Sequence, residues 1–149
     1  MYASKVVALA QSWVGKKESN GTHKSIIDIY NSYEPHPRGY KMTYNDPWCA
    51  ATISAISIKL GYTKIMPVEC SCSKMIELYQ KLGSWVEADN RKPIPGDIVF
   101  YDWDDNGKGD NKGSADHVGV VEKVVDNKIT VIEGNYSGAV KRRVIDVGA

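Results

Sequence analysis

The chain has 149 residues, 42% of them hydrophobic, which suits one domain with a packed core and is too short for two ordinary ones. Lysine plus arginine exceed aspartate plus glutamate by 19 to 18, a net charge of +1 that argues against nucleic acid as the main partner. No apolar run approaches the ~20 residues of a membrane span, and three cysteines at uneven spacing do not make a disulfide framework.

The N-terminal MYASKVVALAQSWVGKK lacks a basic leader followed by a long apolar stretch, so no signal peptide is expected. Ala3 to Val14 is helical in pattern, with Val6, Leu9, Ala10 and Trp13 at three- and four-residue steps. Thr22 to Tyr33 repeats the pattern through Ile26, Ile27, Ile29, Tyr30 and Tyr33. YEPHPRGYKMTYND reads as a loop from its prolines and glycine. A third helix is predicted over 47–60, with Asp46 as N-cap, Pro47 at the first helical position and Gly61 as the stop. A fourth spans 73–82 and ends at Gly83. The period then changes: GDIVFYDW, DHVGVVEKVV, KITVIEGNY and AVKRRVIDV are β-branched and aromatic-rich, with turn residues between them. Helices first and strands after predict an α+β fold with an antiparallel sheet. With no repeats or linker, residues 1–149 read as one domain, expected as a monomer.

Cys49 is the residue that asks for chemistry. Together with Ile53, Ile56 and Leu60 it falls on one helical stripe, and a free cysteine there commonly acts as a small buried hydrophobe. Its position argues otherwise. As the third residue of a helix capped by Asp46, it sits where backbone N–H groups lack intrahelical partners and the helix dipole favours an anion. Both stabilise a thiolate, the nucleophilic form. The same cap competes with that role, because the Asp46 carboxylate would take the N–H of residue 48 or 49.

A thiolate nucleophile needs a base, and the base an orienting group. His23, at the start of a helix, and His36, between prolines, read as solvated surface residues. His117 opens an apolar strand, where a scaffold holds a side chain rigidly yet accessibly; the alternative is a strand-end histidine in water. Gly119 lies two residues on and leaves room for the cysteine helix to pack close. In the next strand Glu133 and Asn135 interrupt the face that Ile129 and Val131 continue, and buried polar groups need partners. Strand parity sets a condition. A two-residue loop at Asp126 and Asn127 pairs His117 with Tyr136 and turns it away from Glu133 and Asn135. A three-residue loop pairs it with Asn135 and brings Gly119 opposite Glu133. The chemistry therefore requires an odd-numbered loop or a bulge.

PWCAATIS, PIPGDIVFYDW, DHVGVVE and IEGN stand in this order along the chain. In these motifs the chain resembles the CHAP domain, the cysteine- and histidine-dependent amidohydrolase/peptidase family of phage endolysins and bacterial wall hydrolases. The resemblance implies a papain-like α+β fold and cleavage of an amide bond in bacterial peptidoglycan, by an N-acetylmuramoyl-L-alanine amidase or a peptide endopeptidase. It assigns Cys49 as nucleophile, His117 as base, Glu133 as its orienting group and Asn135 in support. Where some relatives have glutamine before the cysteine this chain has Trp48, so the second oxyanion donor falls to Tyr44 or Asn45. Readings from other classes are a non-catalytic wall-binding domain on the same fold and an antibacterial effector amidase. The protein would reach the wall after release or delivery by another route.

No cofactor is expected to be required. DWDDNGKGDN opens like an EF-hand loop, but its twelfth position is Gly113, where a bidentate glutamate is needed. At most a weak calcium site is expected in the Asp102–Asp110 loop, with a solvated turn as the alternative. Cys70 and Cys72 lack the further soft ligands a metal needs and read as buried or idle thiols. Lys141, Arg142 and Arg143 either attract an anionic wall polymer or form a solvated edge strand.

Overall fold

The computed structural model describes residues 2–83, 93–101 and 117–146. Its helices are α1 (Tyr2–Trp13), α2 (Lys24–Asn31), α3 (Cys49–Leu60) and α4 (Cys72–Leu82). Its strands are β1 (Ile98–Tyr101), β2 (His117–Val125), β3 (Lys128–Tyr136) and β4 (Ala139–Asp146), in one antiparallel sheet ordered β1-β2-β3-β4. N-terminal helices packed on a C-terminal antiparallel sheet are the α+β, papain-like arrangement that the order of periodicities predicts.

The central element is α3. Every residue from Cys49 to Ser57 is buried, as expected of a helix that is apolar or small on all sides. It packs with Val6 and Ala10 of α1, Ile26, Ile27 and Tyr30 of α2, Met75 of α4, and Val118, Val120, Ile132 and Val140 of the sheet. Two serines interrupt its apolar surface. Ser57 Oγ donates to the Met66 carbonyl at 2.7 Å. Ser54 Oγ donates to the Glu69 carbonyl at 2.6 Å and accepts from the Glu69 N–H at 2.9 Å. The segment leading into α4 is thereby fastened to the middle of α3. At its far end α3 stops at Gly61, which takes φ 76° and returns its N–H to Ile58 and Ser57 carbonyls.

At its start α3 is two residues shorter than predicted. Trp48 stands at the cap position with φ −125° and ψ 19° and no side-chain cap bond. Asp46 is not the cap: its carboxylate takes the Thr43 N–H at 2.8 Å and the Tyr40 hydroxyl at 2.6 Å. A local turn wins the carboxylate that the helix would have used. Cys49 becomes the first helical residue, not the third, and Asp46 does not consume its N–H.

The β2–β3 hairpin settles the parity question by a bulge. The loop is the two-residue one, with Val125 opposite Lys128 and Asp126 at φ 53°. Between Val121 and Lys123 the register shifts, so that Val121 pairs with Val131 and Val120 with Ile132. Continued by one residue, this register sets Gly119 against Glu133. Val121, Ile129 and Val131 form a second, smaller cluster with Val99, Val124 and Ile145. A Cβ at Gly119 would strike the Val131 side chain and the Ile132 carbonyl of β3, so Gly119 does not make room for the cysteine helix. Gly134 does: a Cβ at that position would overlap Thr52 of α3.

Candidate active site

Cys49 is 8% exposed, at the first turn of α3. Its Sγ lies 3.6 Å from the Sγ of Cys72, the first residue of α4, and none of the three cysteines is in a disulfide. The Cys49 pKa is held below the usual thiol value. The hydrogen bond with Cys72 is the largest cause, and the backbone N–H groups of Ala50 and Cys49 add to it. Burial and the negative charge of Glu133 oppose the shift without reversing it. The environment therefore favours thiolate at a helix N-terminus.

His117 begins β2 with its side chain 24% exposed, and its Nδ1 lies 3.5 Å from Glu133 Oε1. Glu133 is fully buried. A carboxylate there needs a permanent partner, and Arg143 of β4 supplies it in a fork: Nε donates to Oε2 at 2.8 Å and Nη2 to Oε1 at 3.1 Å. The Arg143 guanidinium also stacks on Tyr136, 3.9 Å from the ring centre. The chain His117–Glu133–Arg143 thus crosses three adjacent strands. Asn135 follows Glu133 with φ 62°, beside the irregularity at which the β3–β4 register shifts. Strict alternation therefore stops before Asn135, and a shared face with Glu133 does not follow from strand period.

Several expectations are corrected. His23 is buried at 4% exposure: its ring packs 5.5 Å from Trp48, and Nε2 lies 3.2 Å from the Tyr44 carbonyl. The start of α2 lies against the loop before Cys49, an adjacency invisible in sequence. His36 is half-buried, with Nδ1 3.0 Å from the Tyr33 carbonyl. The Trp48 indole N–H donates to Glu18 at 2.8 Å, and the Tyr44 hydroxyl donates to Asp28 at 2.6 Å. Both donors are committed, which leaves Asn45 of the two residues considered for a second oxyanion donor. The basic run is not a free patch, because Arg142 forks onto Glu122 at 2.8 and 3.0 Å and Arg143 onto Glu133.

Arg143 and Cys72 are the members of this site that sequence reasoning missed. The signal for Arg143 was a buried glutamate with no assigned cation and a basic run one hairpin away. Cys72 had no local signal, since its place depends on Ser54 fastening the segment before α4 to α3. Among the described residues no group of three or more His, Cys, Asp or Glu side chains is placed to hold a metal ion. The Asp102–Asp110 loop lies outside the described residues.

The family model of the CHAP domain matches residues 39–135, a span that includes Cys49, His117, Glu133 and Asn135. The chain belongs to the CHAP domain family. Membership supports a cysteine-dependent hydrolase function on cell-wall peptidoglycan. No curated protein and no solved structure shows significant similarity to the chain.

Proposed function

We propose that the protein hydrolyses an amide bond of bacterial peptidoglycan with Cys49 as nucleophile and His117 as base. The observation that carries this reading is a thiol with lowered pKa on a helix N-terminus, in one fold with a histidine set against a fully buried carboxylate. His117 takes the Cys49 proton, and the thiolate attacks the amide carbonyl. The negative charge on the oxygen is met by backbone N–H groups of the first turn of α3, with Asn45 as a further donor; one such donor is worth on the order of 10²-fold in rate. Protonated His117 gives its proton to the leaving amine, which leaves a thioester on Cys49. Water, deprotonated by His117, then hydrolyses that thioester. Glu133 orients the imidazole, with Asn135 in support, and Arg143 fixes Glu133.

The bond is the N-acetylmuramoyl-L-alanine amide or a peptide bond of the stem or bridge. Fragment masses from sacculi of several wall chemotypes distinguish them, because an amidase frees the alanine amine and an endopeptidase frees an amine within the peptide. Cys49→Ala and His117→Ala should each abolish release of new amines from purified wall while keeping the wild-type melting transition. Wild-type turnover by either variant overturns the assignment. A crystal structure should show a sulfur-to-imidazole distance of about 3–4 Å, slightly loose for an enzyme without substrate.

A further inference from the structure

We propose that Cys72 is a positioning residue for the nucleophile, its thiol donating a hydrogen bond to the Cys49 thiolate. The inference rests on the reading of Cys49 as nucleophile and adds a partner to it. The two sulfurs are 3.6 Å apart, within hydrogen-bonding range for thiols, and both residues are 8% exposed. Each is the first residue of its helix, so two N-termini, each favouring negative charge, converge on one pair of sulfurs.

The convergence is built by a polar network. Ser54 of α3 holds both backbone groups of Glu69. The Glu69 carboxylate accepts from the Cys70 N–H at 2.9 Å and the Ser71 N–H at 3.3 Å. Arg38 forks onto the same carboxylate at 2.6 and 3.1 Å. Ser71 then caps α4 by accepting from the Lys74 N–H. Each bond fixes the chain within three residues of Cys72, so its thiol is held against Cys49 by α3 itself.

Proton accounting decides which sulfur is the anion. Two thiolates at this separation repel, so the pair loses one proton well before the second. Cys49 has the backbone N–H groups of Ala50 and itself directed at its sulfur, and it surrenders the proton to His117. Cys72 keeps its proton and points it at the anion. A thiol is a weak donor, but a hydrogen bond to a charged acceptor is about twice as strong as a neutral one. A small apolar residue would fill the same space without this effect, and that difference makes the role measurable.

The test is site-resolved alkylation with iodoacetamide, read by peptide mass across pH 5 to 10, on the full chain. Cys72→Ala should raise the pH midpoint for Cys49 and slow its alkylation about tenfold below the midpoint. Cys72→Ser, which keeps an O–H donor, should recover most of that loss. A Cys49 midpoint unchanged in Cys72→Ala, or serine behaving like alanine, overturns the proposal. A reciprocal measurement covers the case in which Cys72→Ala fails to fold. In Cys49→Ser the neighbouring anion is gone, so the Cys72 midpoint should fall below its wild-type value; an unchanged value also overturns the proposal. None of these readouts uses turnover. A wild-type protein inert on every wall would remove the proposed function, while the alkylation midpoints would still decide the role of Cys72.

Discussion

Arg142 and Arg143 are adjacent, and each forks onto a glutamate, yet their removal should have unequal consequences. Glu133 is fully buried and the Arg143 side chain is 17% exposed. Arg143→Ala leaves a carboxylate with its counter-charge removed, in a site water does not reach. Breaking a buried pair on one side costs about 3–5 kcal/mol. For a domain of this size that corresponds to a fall in Tm of roughly 6–20 °C. The Arg142 side chain is 47% exposed in its pair with Glu122, and exposed pairs contribute about 0–1 kcal/mol after solvent screening. Thermal melts of the two single variants at pH 7 make the comparison. The double variant Arg143→Ala/Glu133→Gln should regain much of the loss, because it removes the stranded charge as well as its partner. If Arg143→Ala is no more destabilising than Arg142→Ala, the claim that Glu133 is a buried charge held by Arg143 is wrong.

Gly134→Ala places a methyl group into Thr52 and should cost about 1–3 kcal/mol by forcing α3 off the sheet; a wild-type melt would show that α3 does not approach there. Ser54→Ala strips the Glu69 backbone of both buried partners and should cost about 1–3 kcal/mol in urea unfolding, whereas the exposed Ser25→Ala should cost much less. Asp46, Glu69 and Glu122 all have depressed folded pKa values. The Tyr40 hydroxyl is the chief cause for Asp46 and the Arg142 guanidinium for Glu122. For Glu69 the upward push of burial is the largest single effect, but Arg38 and the Cys70 and Ser71 N–H groups together outweigh it. Each therefore contributes stability above the ordinary carboxylate range, lost as pH falls through the depressed folded values. The urea midpoint should hold from pH 7 to 5 and drop below about pH 4; a midpoint that rises on acidification contradicts these pairings.

The sequence by itself determined the elements and their kind. Four helical periods followed by four β-rich runs reappear as α1–α4 and β1–β4, because the pattern of burial along one element is a local property of its residues. It also set a parity condition on the β2–β3 hairpin. It could not say that the bulge between Val121 and Lys123 would meet that condition, since a bulge depends on how two strands pack and not on either alone.

Every error was one of competition or long-range placement. Asp46 had several donors within reach, and the tertiary position of Tyr40 decided among them. His23 was polar and near a loop, yet Trp48 and Tyr44 close over it. Gly119 was read as the smooth spot beneath α3, a role that falls to Gly134; what lies against each glycine is decided only once the sheet has paired. Cys49 and His117 could be singled out because each sits at the end of an element, a feature that can be read along the chain. Arg143 on Glu133 and Cys72 on Cys49 lie 10 and 23 residues away from their partners. A contact of that kind exists only once the sheet has paired and α4 has been fastened to α3, so the folded chain alone decides it.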